Sequence, residues 1–164
     1  MELSEKIASI KDMVEKEVFV SAKDENIALR STGDRKTDGW IFDFRRVLTQ
    51  APILSLIGDI FWEQHKDKYP FQLGSIEVAG IPLVVGITQR MHEKGVPYVS
   101  YFFIRKSRKK DGLMRMIEGR VQENRKIILV DDIMNSGKSF IRQVETLEEL
   151  GHKVDSVWSI LRFR

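Results

Sequence analysis

The chain has 164 residues, 42% of them hydrophobic and 31% charged, with a formal net charge of +3 and no cysteine. The length suits one domain with a sizeable core, and the balance is that of an ordinary globular protein, not a disordered one. Disulfides and thiolate metal centres are excluded, no apolar run is long enough to cross a bilayer, and three excess charges alone imply no polyanionic partner.

In chain order, Leu3, Ile7, Ile10 and Val14 recur at helical spacing, which predicts an N-terminal helix. The opening MELSEKIASIKDMVEKEV is amphipathic and charged, unlike a secretory leader, so a cytoplasmic location is the simplest expectation. STGDRKTDG, residues 31–39, is a polar turn with two glycines, and WIFDF, 40–44, reads as a strand. APILSLIGDIFWEQHKDKY, 51–69, is a helix with Pro52 in its first turn. LGSIEVAG, 73–80, gives a short strand and a turn, and IPLVVGITQRMHEKG, 81–95, a helix closed by Gly95.

VPYVSYFFI, 96–104, is a buried strand. RKSRKK, 105–110, the densest basic cluster, runs with DGLMRMIEG into a long loop. RKIILVDD, 125–132, is a second buried strand, SFIRQVETLEELG, 139–151, a helix, and KVDSVWSILRFR a final strand. Strands alternating with helices predict an α/β domain with a largely parallel sheet. Ligands bind such sheets outside the carboxyl ends of the strands. His65, His92 and His152 fall in or beside helices and are read as surface residues, and no Ser/His/Asp constellation stands out.

The stretch IILVDDIMNSGKSF, 127–140, carries the chemistry. Its GKS suggests a P-loop, but that motif needs a glycine five residues before Gly137, where Asp132 stands. A different phosphate site fits. Residues 133–139 form a turn that opens a helix, with N–H groups and the positive end of the dipole turned outward. Gly137 permits close backbone approach. Asn135, Ser136 and Ser139 offer amide or hydroxyl bonds, and Asp131 and Asp132 are acceptors suited to vicinal sugar hydroxyls. A ligand with a phosphate beside a diol is a ribose 5-phosphate.

IILVDDIMNSGKS resembles the phosphoribosyl pyrophosphate (PRPP) motif of type I phosphoribosyltransferases. The resemblance extends to the orotate phosphoribosyltransferase branch. ALRSTGDRKTDGWIFDFRRVLTQAPIL, 28–54, is similar to its N-terminal stretch, and VAGIPLVVGI, 78–87, to its pyrophosphate loop and following helix. IRKSRKKDGLMRMIEG, 104–119, is similar to its mobile catalytic loop.

The resemblance implies a twisted, largely parallel sheet flanked by helices, in one domain over 1–164. An N-terminal helical and hood segment would cover about 1–45 and the PRPP-binding core about 51–164. The implied reaction displaces pyrophosphate from C1 of PRPP by a ring nitrogen of orotate or a related pyrimidine. Asp131 and Asp132 would hold the ribose hydroxyls and favour its positive charge. Ile133, Met134, Asn135, Ser136, Gly137, Lys138 and Ser139 would cradle the 5-phosphate. Arg105, Lys106 and Lys109 would contact pyrophosphate, with Lys109 stabilising the leaving group, and Glu77, Val78, Ala79 and Gly80 would form the pyrophosphate loop. Arg30, Phe42 and Arg164 would face the base. Mg²⁺ would sit mainly on PRPP oxygens, with Asp131 and Asp132 beside it. A homodimer is implied, with loop 105–118 crossing to the neighbouring site, and no membrane partner is expected.

Two departures are specific. The family's loop histidine falls on Asp111, and a lysine that many members carry before Gly-Ile-Pro falls on Ala79. Both keep open a second class, a PRPP- or nucleotide-sensing regulator of the same fold. A third class, a nucleic-acid binder using RKSRKK, is weakened because that run carries no interleaved aromatics.

Overall fold

The structure, a computed structural model, describes residues 1–21, 23, 39–106 and 116–163. Helix α1 (Leu3–Met13) passes through one π-helical turn (Val14–Val18) into strand β1 (Phe19–Ser21). β1 pairs antiparallel with β2 (Trp40–Phe42) in a two-stranded ribbon. Helix α2 (Ala51–His65), begun by Pro52, leads to β3 (Phe71–Ile76) and helix α3 (Gly80–Glu93). Then follow β4 (Tyr101–Ile104), β5 (Ile117–Gly119), β6 (Lys126–Met134), helix α4 (Lys138–Glu149) and β7 (Ser156–Arg162).

The main sheet has the order β5-β4-β3-β6-β7. β3 is parallel to β4 and β6, β6 is parallel to β7, and only the edge strand β5 runs antiparallel. This is the expected α/β class. β6 explains why its run IILV is apolar without alternation. Ile128 and Val130 enter one core with Phe44, Phe61, Leu83 and Ile87, whereas Ile127 and Leu129 enter another with Phe102, Phe140 and Leu147. Helices cover both faces, so both side-chain parities are buried.

α1, α2 and α3 are pinned by one carboxylate. Asp59 on α2 lies 3.4 Å from Lys6 Nζ, 2.8 Å from Arg90 Nε and 2.9 Å from Lys94 Nζ. Burial opposes its ionisation, but Arg90 and Lys94 outweigh it and hold the carboxyl well below its usual range.

Several expectations are corrected. β4 begins at Tyr101, not at residue 96, since Pro97 lacks an N–H for a sheet ladder. IEG is not loop but β5, paired with β4 through Phe103 and Glu118. β6 runs two residues past Asp132, because Ile133 and Met134 pair with Leu161 and Arg162 of β7. His65 is not a surface residue. It is buried, stacked on Phe61 at 4.3 Å, with Nδ1 3.0 Å from the Phe61 carbonyl, and burial lowers its pKa. Among the described residues no helix is long and apolar enough to cross a membrane.

Candidate active site

A cleft of about 900 Å³ opens at the carboxyl ends of β3, β4 and β6. Each strand delivers a different chemistry to it: Glu77, Val78 and Ala79 after β3, Arg105 and Lys106 after β4, and Asp131 and Asp132 near the end of β6. Lys138 and Ser139, in the first turn of α4, close one side.

The adjacent carboxylates have a physical explanation. Successive strand residues face opposite sides of a sheet. Asp131 continues the parity of Ile127 and Leu129, toward α4, and Asp132 that of Ile128 and Val130. Their surroundings differ accordingly. Asp131 is 7% exposed, accepts the Asp132 N–H at 3.0 Å on Oδ1, and accepts the Ser139 hydroxyl at 3.3 Å on Oδ2. Burial first, and then the Asp132 charge, push its carboxyl up to about 7. Asp132 is half-buried, accepts the Ile133 N–H at 2.9 Å, and acts electrostatically on Arg45.

Between β6 and α4, residues 135–137 make the turn. Gly137 has φ of 73°, a left-handed conformation that glycine adopts without steric cost, and a Cβ built there meets nothing within 4 Å. The first-turn N–H groups of α4 lack helical acceptors, as at any helix start, which suits an anion.

On the opposite wall, the Glu77–Val78 peptide is cis. The Glu77 N–H donates to the Ile104 carbonyl at 3.2 Å, and Glu77 Oε1 accepts the Lys106 N–H at 2.9 Å. Gly80 opens α3 where a Cβ would run into Ser75 Oγ, whose hydroxyl donates to the Val130 carbonyl at 2.6 Å. A glycine is therefore required there by packing between β3, β6 and α3. The basic segment leaves the sheet on a defined stem. The Arg105 N–H donates to the Met116 carbonyl at 2.8 Å, and its guanidinium pairs with Glu118 at 3.0 Å.

The structure thus gathers Glu77, Val78, Ala79, Arg105, Lys106, Asp131, Asp132, Lys138 and Ser139 around one cleft. Phe42 lies elsewhere. It borders an apolar groove between α1, α2 and β7, and its ring packs edge-on against Trp40 at 5.4 Å and Phe163 at 5.8 Å. Arg30, Lys109, Asp111 and Arg164 lie outside the described residues. Sequence reading missed Gln143 and Glu118. Gln143 sits one helical turn beyond Ser139, on the same face of α4, a spacing that was visible in the sequence.

Among the described residues no three His, Cys, Asp or Glu side chains converge as a metal-binding group. Among the described residues the cleft offers a divalent cation the adjacent Asp131 and Asp132 carboxylates, with other oxygens left to substrate and water. That donor set fits Mg²⁺, which retains much of its hydration.

Known proteins and a family model resemble this chain. An orotate phosphoribosyltransferase from a Bradyrhizobium strain is 30% identical over 131 residues, covering 77% of this chain and 70% of that protein. A phosphoribosyltransferase crystal structure from Corynebacterium diphtheriae superposes with a TM-score of 0.74 at 24% identity, covering 96% of this chain and 83% of that one. The Mycobacterium tuberculosis orotate phosphoribosyltransferase in complex with PRPP superposes with a TM-score of 0.65 at 18% identity, covering 96% and 89%. A phosphoribosyl transferase domain model matches residues 45–162, which include the whole cleft, and the chain belongs to that family, with the type I fold and a likeness to its orotate phosphoribosyltransferases.

Proposed function

We propose that the chain transfers ribose 5-phosphate from PRPP to orotate or a related pyrimidine base, releasing pyrophosphate. The observation that carries this reading is the placement of Asp131 and Asp132 immediately before the left-handed Gly137 turn, across the cleft from Arg105 and Lys106. A sugar with a phosphate at one end and a pyrophosphate at the other meets an anion cradle, acceptors for its hydroxyls and cations in that order.

In the proposed reaction the bond from C1 to the pyrophosphate oxygen breaks and a bond from C1 to a ring nitrogen forms. Positive charge grows on the ribose and negative charge on the leaving group. Catalysis is electrostatic and positional, and no nucleophilic side chain is required. Asp131 and Asp132 hold the 2- and 3-hydroxyls and favour the cationic ribose. The turn 135–137 and the first turn of α4 hold the 5-phosphate. Arg105 and Lys106 meet the pyrophosphate, and Lys109, three residues further on, stabilises it as it departs. Asp131 and Asp132 would sit beside a bound Mg²⁺, which would supply charge neutralisation. The homodimer with the segment between β4 and β5 crossing between copies, the facing of Arg30 and Arg164 toward the base, and a cytoplasmic location belong to the same reading, the first two resting on the family resemblance.

Pyrophosphate release from PRPP and Mg²⁺, measured across a panel of pyrimidine and purine bases, tests it. Release with orotate above all others supports the pyrimidine assignment, and release only with a purine overturns it. Ala79, which lines the cleft without a side-chain charge, favours the second reading, a PRPP-binding regulator. PRPP binding without release from any base selects that reading.

A further inference from the structure

Gln143 has no part in the mechanism above, and its position is physically costly. It is 1% exposed, on the face of α4 turned to the sheet, where Phe140 and Leu147 fill the neighbouring core positions. Its amide nitrogen donates to Ser139 Oγ at 3.4 Å. Its Oε1 is buried and accepts no hydrogen bond from any described residue. A buried, half-paired amide is less stable there than an apolar side chain of similar shape.

The bond it makes is directional. A serine hydroxyl carries one proton. Ser139 commits that proton to Asp131 Oδ2 at 3.3 Å, so its oxygen is left to accept the Gln143 N–H. The amide therefore selects the Ser139 rotamer that reaches Asp131. The other Asp131 oxygen is held by the Asp132 N–H at 3.0 Å. With both oxygens engaged, the plane of the carboxylate is fixed at the edge of the cleft.

We propose that Gln143 is a positioning residue that acts through Ser139 to orient Asp131 toward the ribose hydroxyls. The inference rests on the transferase reading for its ligand. Gln143 borders the cleft but is only 1% exposed, so its effect on the ribose site runs along the line Gln143–Ser139–Asp131.

The test separates positioning from packing by reading stability and affinity on the same variants. Gln143→Leu removes an incompletely paired amide, so its melting temperature should equal or exceed that of the wild type. Its affinity for PRPP with Mg²⁺, measured by isothermal titration, should nevertheless fall about fivefold, the scale of one hydrogen bond. Ser139→Ala should lose at least as much, and the double variant no more than Ser139→Ala alone, because the two residues act in series. Should Gln143→Leu fail to fold, Gln143→Met supplies the same comparison with an unbranched side chain. Unchanged PRPP affinity in the Gln143 variant, or losses that multiply in the double variant, overturns the proposal while the transferase reading stands. A wild type that binds no PRPP overturns both.

Discussion

Glu77 and Lys106 are 29 residues apart in sequence, yet Glu77 Oε1 accepts the Lys106 backbone N–H at 2.9 Å. This bond ties the turn after β3 to the point where the basic segment leaves β4. Both residues line the cleft, so the bond fixes the turn after β3 against the start of the basic segment there. Glu77→Ala should raise KM for PRPP about five- to tenfold, the scale of one hydrogen bond. Glu77→Gln keeps an acceptor oxygen and should recover most of the loss. Steady-state kinetics of the pair decides it, and equal KM values in Glu77→Ala and the wild type would remove Glu77 from the account.

Asp131 gives a pH dependence with a defined sign. Its carboxyl is raised from 3.8 to about 7 in the folded protein. Between those values the folded state holds a proton that the unfolded state has lost, so stability declines as pH rises through that window. Asp131→Asn removes the effect. Its melting temperature should exceed that of the wild type at about pH 8 and approach it near pH 4. A difference that does not change with pH would show that the Asp131 carboxyl is not raised. The same substitution should abolish transfer, so stability and activity move in opposite directions.

Asp59 carries the opposite sign. Its carboxyl is held well below 3.8 by Arg90 and Lys94 despite burial, so its stabilisation is fully present above the unfolded value and is lost as pH falls below it. Asp59→Asn leaves Lys6, Arg90 and Lys94 crowded without their shared carboxylate. It should cost about 2–3 kcal/mol near neutrality, and thermal melts should show the gap narrowing below about pH 3. A gap that persists in strong acid would assign the loss to packing instead.

Lys109 distinguishes an enzyme from a nucleic-acid binder. As a leaving-group contact, Lys109→Ala should lower the maximal rate about 100- to 1000-fold while changing PRPP affinity little, the signature of an interaction made in the transition state. In a nucleic-acid patch the same change would only weaken oligonucleotide binding and reduce its salt dependence by about one phosphate contact. Mixing Lys109→Ala chains with Asp131→Asn chains should restore activity if loops cross a dimer, because one hybrid site then holds both residues.

Much of this architecture was legible in the sequence, for identifiable reasons. The run IILV gave β6 because both faces of a central parallel strand are buried. Pro52 and Gly151 marked helix ends, and the Asp131–Gly137 spacing located the cleft. Short pairings were not legible. β1 and β5 have three residues each, too few for alternation to register, and both exist through pairing with another strand. The burial of His65 and Gln143 depends on which helix face meets the sheet, which their residue types do not reveal. Phe42 was read toward the base, yet its ring joins Trp40 and Phe163 beside an apolar groove, a tertiary contact that the order of motifs does not encode.

The central claim is that the cleft at Asp131 and Asp132 binds PRPP. Isothermal titration of PRPP with Mg²⁺ into the wild type and into the Asp131→Asn, Asp132→Asn double variant tests it most directly, with thermal melts to establish that both are folded. The account predicts saturable binding to the wild type and at least a tenfold loss in the folded double variant, the scale of charge-assisted bonds to the ribose hydroxyls. A wild type that takes up no PRPP, or a double variant that binds it equally well, would contradict the account.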